Sequence, residues 1–125
     1  MPRAIRIHDT GGPEVLAWEP VDVGAPGPGQ IRLRQIAAGL NFIDVYHRTG
    51  LYPQEMPFTP GVEGAGIVEA VGEGVGGVAA GDRVAYAGPI GGYAEERLID
   101  ADRVVKLPDG ISFELARGMV VFPRG

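Results

Sequence analysis

The sequence predicts a mainly β domain, a partly open barrel carrying one or two short helices. Three observations predict it. The 21 Gly and 11 Pro residues punctuate short strand-like runs and form no tract of their own. No strand–helix–strand alternation runs through the chain, which argues against a parallel α/β sheet. The hydrophobic period turns clearly helical at only one internal stretch, residues 41–48. With 125 residues, 45% of them hydrophobic, the chain has the size of one ordinary domain and enough apolar mass for a single core.

The elements follow in chain order. Ala4–His8 has strand composition, and Thr10-Gly11-Gly12-Pro13 is a turn signal, so Val15–Trp18 reads as the returning strand. Gly24–Gly29 is a loop whose prolines and glycines forbid regular pairing. Gln30–Ala38 alternates, with Ile31 and Leu33 on one side and Arg32 and Arg34 on the other, as in a half-buried strand. Over Asn41–Arg48 the period changes: Phe42, Val45 and Tyr46 recur at helical spacing. Asn41 suits the N-cap, Asp44 the third helical position and an ion pair with Arg48, and Gly50 the closing turn. Tyr52–Pro60, with three prolines, is extended or irregular. Gly66–Val71, Arg83–Ala87, Tyr93–Ile99 and Val104–Leu107 complete about seven strands, and Ser112 reads as the cap of a helix that barely begins.

Composition excludes several kinds of chemistry. A net charge of −5 without a basic stripe lacks the footprint of a nucleic-acid binder. With no cysteine, the chain has no disulfide, thiolate nucleophile or cysteine–zinc site. The N-terminus lacks a signal-peptide h-region, and no apolar stretch reaches the ~18–20 residues of a membrane span, so a cytoplasmic protein is expected. His8 and His47 do not make a metal site, and His47 reads as an exposed helix residue. Ser112, the only serine, is explained by capping and has no nucleophile elbow around it.

Two glycine clusters need weighing. Gly72-Glu73-Gly74-Val75-Gly76-Gly77 matches G-x-G-x-x-G, but the dinucleotide mechanism needs a helix to open there, and Gly81 stops any helix after about one turn. It reads as a strand-to-strand turn. Gly61-Val62-Glu63-Gly64-Ala65-Gly66 reads as a bend where strands approach too closely for side chains.

The stretch Gly39-Leu40-Asn41-Phe42-Ile43-Asp44-Val45-Tyr46-His47-Arg48-Thr49-Gly50-Leu51-Tyr52-Pro53 is distinctive. With it go Gly11-Gly12-Pro13-Glu14-Val15-Leu16, Pro57-Phe58-Thr59-Pro60-Gly61-Val62-Glu63-Gly64-Ala65-Gly66, Gly81-Asp82-Arg83-Val84, Gly92-Tyr93-Ala94-Glu95 and Val105-Lys106-Leu107-Pro108. In this order and spacing they resemble the zinc-free quinone oxidoreductase branch of the medium-chain dehydrogenase/reductase superfamily, over about residues 1–115. The resemblance implies a GroES-like barrel at residues 1–112, the substrate-side domain of an enzyme whose Rossmann domain holds NADPH. Hydride then passes to a quinone or a related activated enone in the cleft between the domains, and a homodimer is implied. Zinc-dependent relatives carry Cys at the position of Asn41 and His at that of Val62, so the resemblance implies no metal.

Residue by residue, the resemblance lays Asn41, Phe42, Ile43, Asp44 and Tyr46 against the cofactor, and Asn41, Tyr46 and Tyr52 against the substrate. Each has a plainer alternative. Asn41 can be purely a helix cap, Tyr46 a core tyrosine, and Tyr52 a loop aromatic pinned by Pro53. Residues 113–125 depart from the family pattern, since Gly118 and Pro123 interrupt a helix. They read as the start of a connecting helix or an atypical tail, with no Rossmann domain in this chain. The chain alone is therefore expected to bind NADPH weakly and to turn over no quinone, and to expose an apolar face. Enoyl and alkenal reductases of the same superfamily are the rival reading, and a cofactor-free GroES-like interaction module is the non-enzymatic one.

Overall fold

The computed structural model describes residues 2–39, 41–108 and 110–112, together with the backbone of Val120 and Val121. Among these residues there are eight strands and one α-helix: β1 Arg3–Arg6, β2 Ala17–Pro20, β3 Gln30–Ala38, α1 Phe42–Thr49, β4 Glu63–Val71, β5 Arg83–Ala87, β6 Glu96–Asp100, β7 Val104–Lys106 and β8 Val120–Val121. Single 3-10 turns lie at Pro13–Val15 and Ala101–Arg103. The mainly β expectation holds. The strands form two open sheets: β1 pairs with β2, and the larger sheet runs β6-β3-β4-β5-β7, with β8 beside the far end of β3.

β3 organises the larger sheet because its alternation is clean. Ile31, Leu33, Gln35 and Ala37 are buried while Arg32 and Arg34 are half-exposed. Ile31 and Leu33 join Val68, Val84, Tyr86 and Ile99 in the core, and each such side chain contributes about 1.5–3 kcal/mol of burial. The β3–β4 register slips at Arg32/Leu33 and again at Gln35/Ala37. At the second slip only glycine fits: a Cβ on Gly66 would collide with the carbonyl oxygen of Arg34 and lie 2.9 Å from the Cα of Gln35.

Several boundaries move. Leu16 follows the 3-10 turn at Pro13–Val15, so the returning strand starts at Ala17. β1 stops at Arg6, and Ile7 instead bridges Phe58. The glycine cluster at 61–66 is only partly a bend, because β4 already begins at Glu63 and its glycines are strand residues. β6 starts at Glu96, since Tyr93 and Ala94 bond to the Pro60 loop and to β1. Gly72–Gly77 is the β4–β5 connection and opens no helix, with the Gly72 N–H donating to Gln30 O at 2.7 Å. The helix expected after Ser112 falls on residues 113–119, outside the described residues. Val120–Val121 is a strand that no sequence signal announced.

Candidate functional site

α1 is capped as its sequence requires. Asn41 is the N-cap, and the Asp44 carboxylate reaches back to the Asn41 N–H at 3.0 Å. Gly50 ends the helix with φ 88°, in the left-handed region. The Asp44–Arg48 ion pair does not form. Asp44 accepts instead from the Tyr93 hydroxyl, and Arg48 donates from Nε to Gly11 O at 3.2 Å while its own carbonyl accepts from the Gly11 N–H. These bonds tie both ends of the helix to distant loops.

The helix is turned polar side inward. Asp44 and His47 are its buried residues, so the expectation of an exposed His47 is corrected. The His47 ring packs edge-on against Phe58 and Tyr52, and Arg48 rather than His47 takes the solvent-side contact with the Gly11 loop. Phe42 is 83% exposed, and Val45 and Tyr46 are exposed as well. Leu16, Leu51, Tyr52 and Met56 add further exposed apolar surface from the neighbouring loops.

A groove of about 510 Å³ opens beside the start of α1, between Leu16, Phe42 and Val45 on one side and Pro60 and Tyr93 on the other, with Asn41, Asp44 and Arg48 as its polar residues. Tyr93 is held there by backbone bonds to Pro60 O at 3.0 Å and from Ile5 N–H at 2.8 Å. Its ring lies so close to Gly61 that a Cβ there would sit 2.8 Å from Tyr93 Cδ1, and Gly61 takes φ +101°. Burial, and after it the Asp44 carboxylate, raise the pKa of the Tyr93 hydroxyl well above its ordinary value, so it stays a donor. Asn41 Nδ2 and Asp44 Oδ1 are buried without a hydrogen-bond partner.

Of the residues read from the sequence, Asn41, Phe42 and Asp44 meet at this groove. Tyr46, on the helix, and Tyr52, in the loop after it, lie outside its lining. Their rings meet edge to face with centroids 5.5 Å apart, and the Tyr52 N–H donates to Tyr46 O at 3.3 Å. Ile43 is half-buried and joins neither set. Sequence reasoning missed Tyr93, Leu16, Arg48 and Pro60. The glycine pair Gly91-Gly92 ahead of Tyr93 was the available signal, since it marks close backbone approach. Among the described residues no group of three or more potential metal ligands comes together, and no helix is long and apolar enough to cross a membrane.

An open-sheet β domain with one short helix, whose capped start borders an apolar groove, is the architecture of the GroES-like half of dehydrogenases. The chain matches the family described as Alcohol dehydrogenase GroES-like domain over residues 27–109, and it belongs to that family. Within it the similarity runs to reductases. A quinone oxidoreductase of Pseudomonas aeruginosa is 48% identical over 97% of this chain and 38% of its own length. A 2-haloacrylate reductase of a Burkholderia species is 44% identical over 91% of this chain and 36% of its own length. The structure of Escherichia coli quinone oxidoreductase complexed with NADPH superposes with a TM-score of 0.87 at 45% identity, over 90% of this chain and 35% of that one. The chain thus spans less than two fifths of the length of the relatives it matches.

Proposed function

We propose that this chain is the substrate-side domain, residues 1–112, of a cytoplasmic NADPH-dependent reductase that acts on quinones and related activated alkenes. The observation that carries the reading is the inverted helix α1, with Asp44 and His47 buried while Phe42, Val45 and Tyr46 face outward beside the groove. A contiguous apolar patch rimmed by polar groups is the mark of a surface that another body covers. The similarity to quinone oxidoreductases, one of them solved with NADPH, supports a nucleotide-holding half as that body.

The groove suits the nicotinamide end of NADPH and not its phosphates. It is apolar and wide enough for a flat ring, and its one cation, Arg48, already spends Nε on Gly11 O. Bound NADPH supplies the hydride. The residues of this chain orient and enclose: Phe42 and Val45 cover the ring, and Asn41 and Asp44 provide polar contacts at the helix start. Tyr46 contacts the sugar side, and Tyr52 stacks on the acceptor or donates to an oxygen where charge develops. Ile43 shapes the backbone against the cofactor. A role without zinc fits the residues, since Val62 is a hydrocarbon and an amide at Asn41 is a poor substitute for thiolate. The complete enzyme is read as a homodimer that uses neither nucleic acid nor membrane.

Two experiments test this. NADPH titrated into the 125-residue chain is expected to bind weakly or not at all, and tight binding refutes the division of labour. The complete reductase is expected to oxidise NADPH with 1,4-benzoquinone in the presence of a metal chelator, and loss of turnover on chelation refutes the zinc-free reading. The 2-haloacrylate reductase relative favours one further arm, an activated alkene offered in place of the quinone. A clear preference for the alkene reassigns the substrate.

A further inference from the structure

The geometry points to Tyr93 as a positioning residue for the groove, acting through Asp44 on the start of α1. The inference rests on the reading of that groove as the hydride-transfer pocket. Tyr93 sits on a loop far from α1 in sequence, and its hydroxyl reaches the helix start. Its backbone is fixed on three sides. The Tyr93 N–H donates to Pro60 O, its carbonyl accepts from Ile5, and the buried amide of Gln35 gathers the neighbouring carbonyls of Gly91, Gly92 and Ala94 at 3.3, 3.1 and 2.8 Å. The Gln35 oxygen in turn accepts from the Tyr86 hydroxyl in the core. Tyr93 is thus a strut anchored in the sheet, with its hydroxyl as the tip.

That tip meets Oδ2 of Asp44, the same oxygen that accepts from the Asn41 N–H. Two donors on one oxygen fix the carboxylate in rotation and leave Oδ1 without a partner. A helix of eight residues has little rigidity of its own. At its first turn, two hydrogen bonds converge on Asp44 Oδ2. The orientation of Asn41 and Phe42, which border the groove, therefore depends on a bond that Tyr93 supplies.

The test uses Tyr93→Phe, which keeps the ring against Gly61 and removes only the hydroxyl, and Tyr93→Leu, which removes both. In the complete reductase, Tyr93→Phe is expected to lower kcat about tenfold while KM for NADPH moves less than about twofold, because misplaced reacting groups cost rate more than affinity. In the 125-residue chain, the same variant is expected to shift the backbone amide signals of 41–44 and the Asn41 side-chain amide in nuclear magnetic resonance spectra. Tyr93→Leu should also lower the melting temperature. Wild-type kcat in Tyr93→Phe, with a lowered melting temperature alone, overturns the inference and makes Tyr93 a packing residue. Should the wild-type reductase show no NADPH-dependent turnover, the functional reading fails by itself. The spectra then decide the positioning role, and unmoved signals at 41–44 overturn it.

Discussion

The rings of Tyr46 and Tyr52 meet edge to face, 5.5 Å between centroids, at the open end of α1, and both keep more than a third of their surface exposed. An aromatic pair of this geometry contributes about 0.5–1.5 kcal/mol beyond its area. Most of that interaction needs the rings and not the hydroxyls. Tyr52→Phe is therefore expected to leave the melting temperature of the chain within about 1 °C, and Tyr52→Ala to cost about 1 kcal/mol. If the Tyr52 hydroxyl serves a quinone oxygen, Tyr52→Phe in the complete reductase lowers kcat/KM for quinone about tenfold or more with KM for NADPH unchanged. Equal kcat/KM in the two proteins removes the Tyr52 hydroxyl from the chemistry and leaves stacking as its role.

Gln35 makes a separate prediction about stability. Its side chain is 3% exposed and shares its two amide N–H groups among three backbone carbonyls while accepting from Tyr86. Burial raises the pKa of that tyrosine hydroxyl, so it remains a donor that must be paired. Gln35→Leu has similar volume and leaves all these partners behind. The expected loss is about 2–4 kcal/mol, read as a fall of roughly 10 °C in melting temperature. A loss below 1 kcal/mol means that water replaces the amide.

Two glycines separate fold from ligand binding. Gly66→Ala is expected to cost about 3 kcal/mol or more, because the backbone of Arg34 and Gln35 occupies the space for a Cβ. Gly76 holds a variable position of the G-x-G-x-x-G match, whose glycines are Gly72, Gly74 and Gly77, and a Cβ there meets nothing within 4 Å. Gly76→Ala is expected to stay within about 0.5 kcal/mol of the parent and to leave KM for NADPH in the complete reductase unchanged. A raised KM would restore the nucleotide reading of that loop.

What the sequence made legible is what repeats locally. The alternation of Ile31, Leu33 and their arginine neighbours located β3 to the residue, and Asn41, Asp44 and Gly50 located α1 through its caps. The start of β4 was hidden because Gly64 and Gly66 carry no side chains to alternate. Their need for glycine comes from Tyr86, Gln35 and Arg34 on other strands. The burial of Asp44 and His47 was hidden for a related reason. A polar inward face contradicts the helical pattern and is tolerated only because Tyr93 and the Asn41 N–H reach the carboxylate, while aromatic rings flank the imidazole. The resemblance to reductases carried the functional assignment of 41–52. Composition and periodicity alone stopped at a capped helix with tyrosines.

A last prediction concerns pH. On the outer face of the larger sheet, Arg32 of β3 lies between Glu69 of β4 and Glu96 of β6, 3.6 Å from the first and 2.9 Å from the second. Arg34 is the further cation near the pair. The two carboxyls share a hydrogen bond. That bond, then burial and the charge of Glu96, push Glu69 from 4.5 up to about 7, against the pull of Arg32 and Arg34. Glu96 moves down, chiefly through the same hydrogen bond and with help from Arg32, so Glu96 carries the charge and Glu69 the proton. A folded state that holds the Glu69 proton more tightly than the unfolded chain loses that advantage as pH rises. The contribution is whole below about 4.5, the ordinary value, and is gone above about 7. Because Glu69 is 36% exposed, solvent screening holds the effect to about 1 kcal/mol or less. Denaturant unfolding of the chain between pH 5 and 8 is thus expected to show stability falling with pH, and Glu69→Gln, which fixes the neutral form, to flatten that fall. A variant curve parallel to the parent's shows that the two carboxyls do not share a proton.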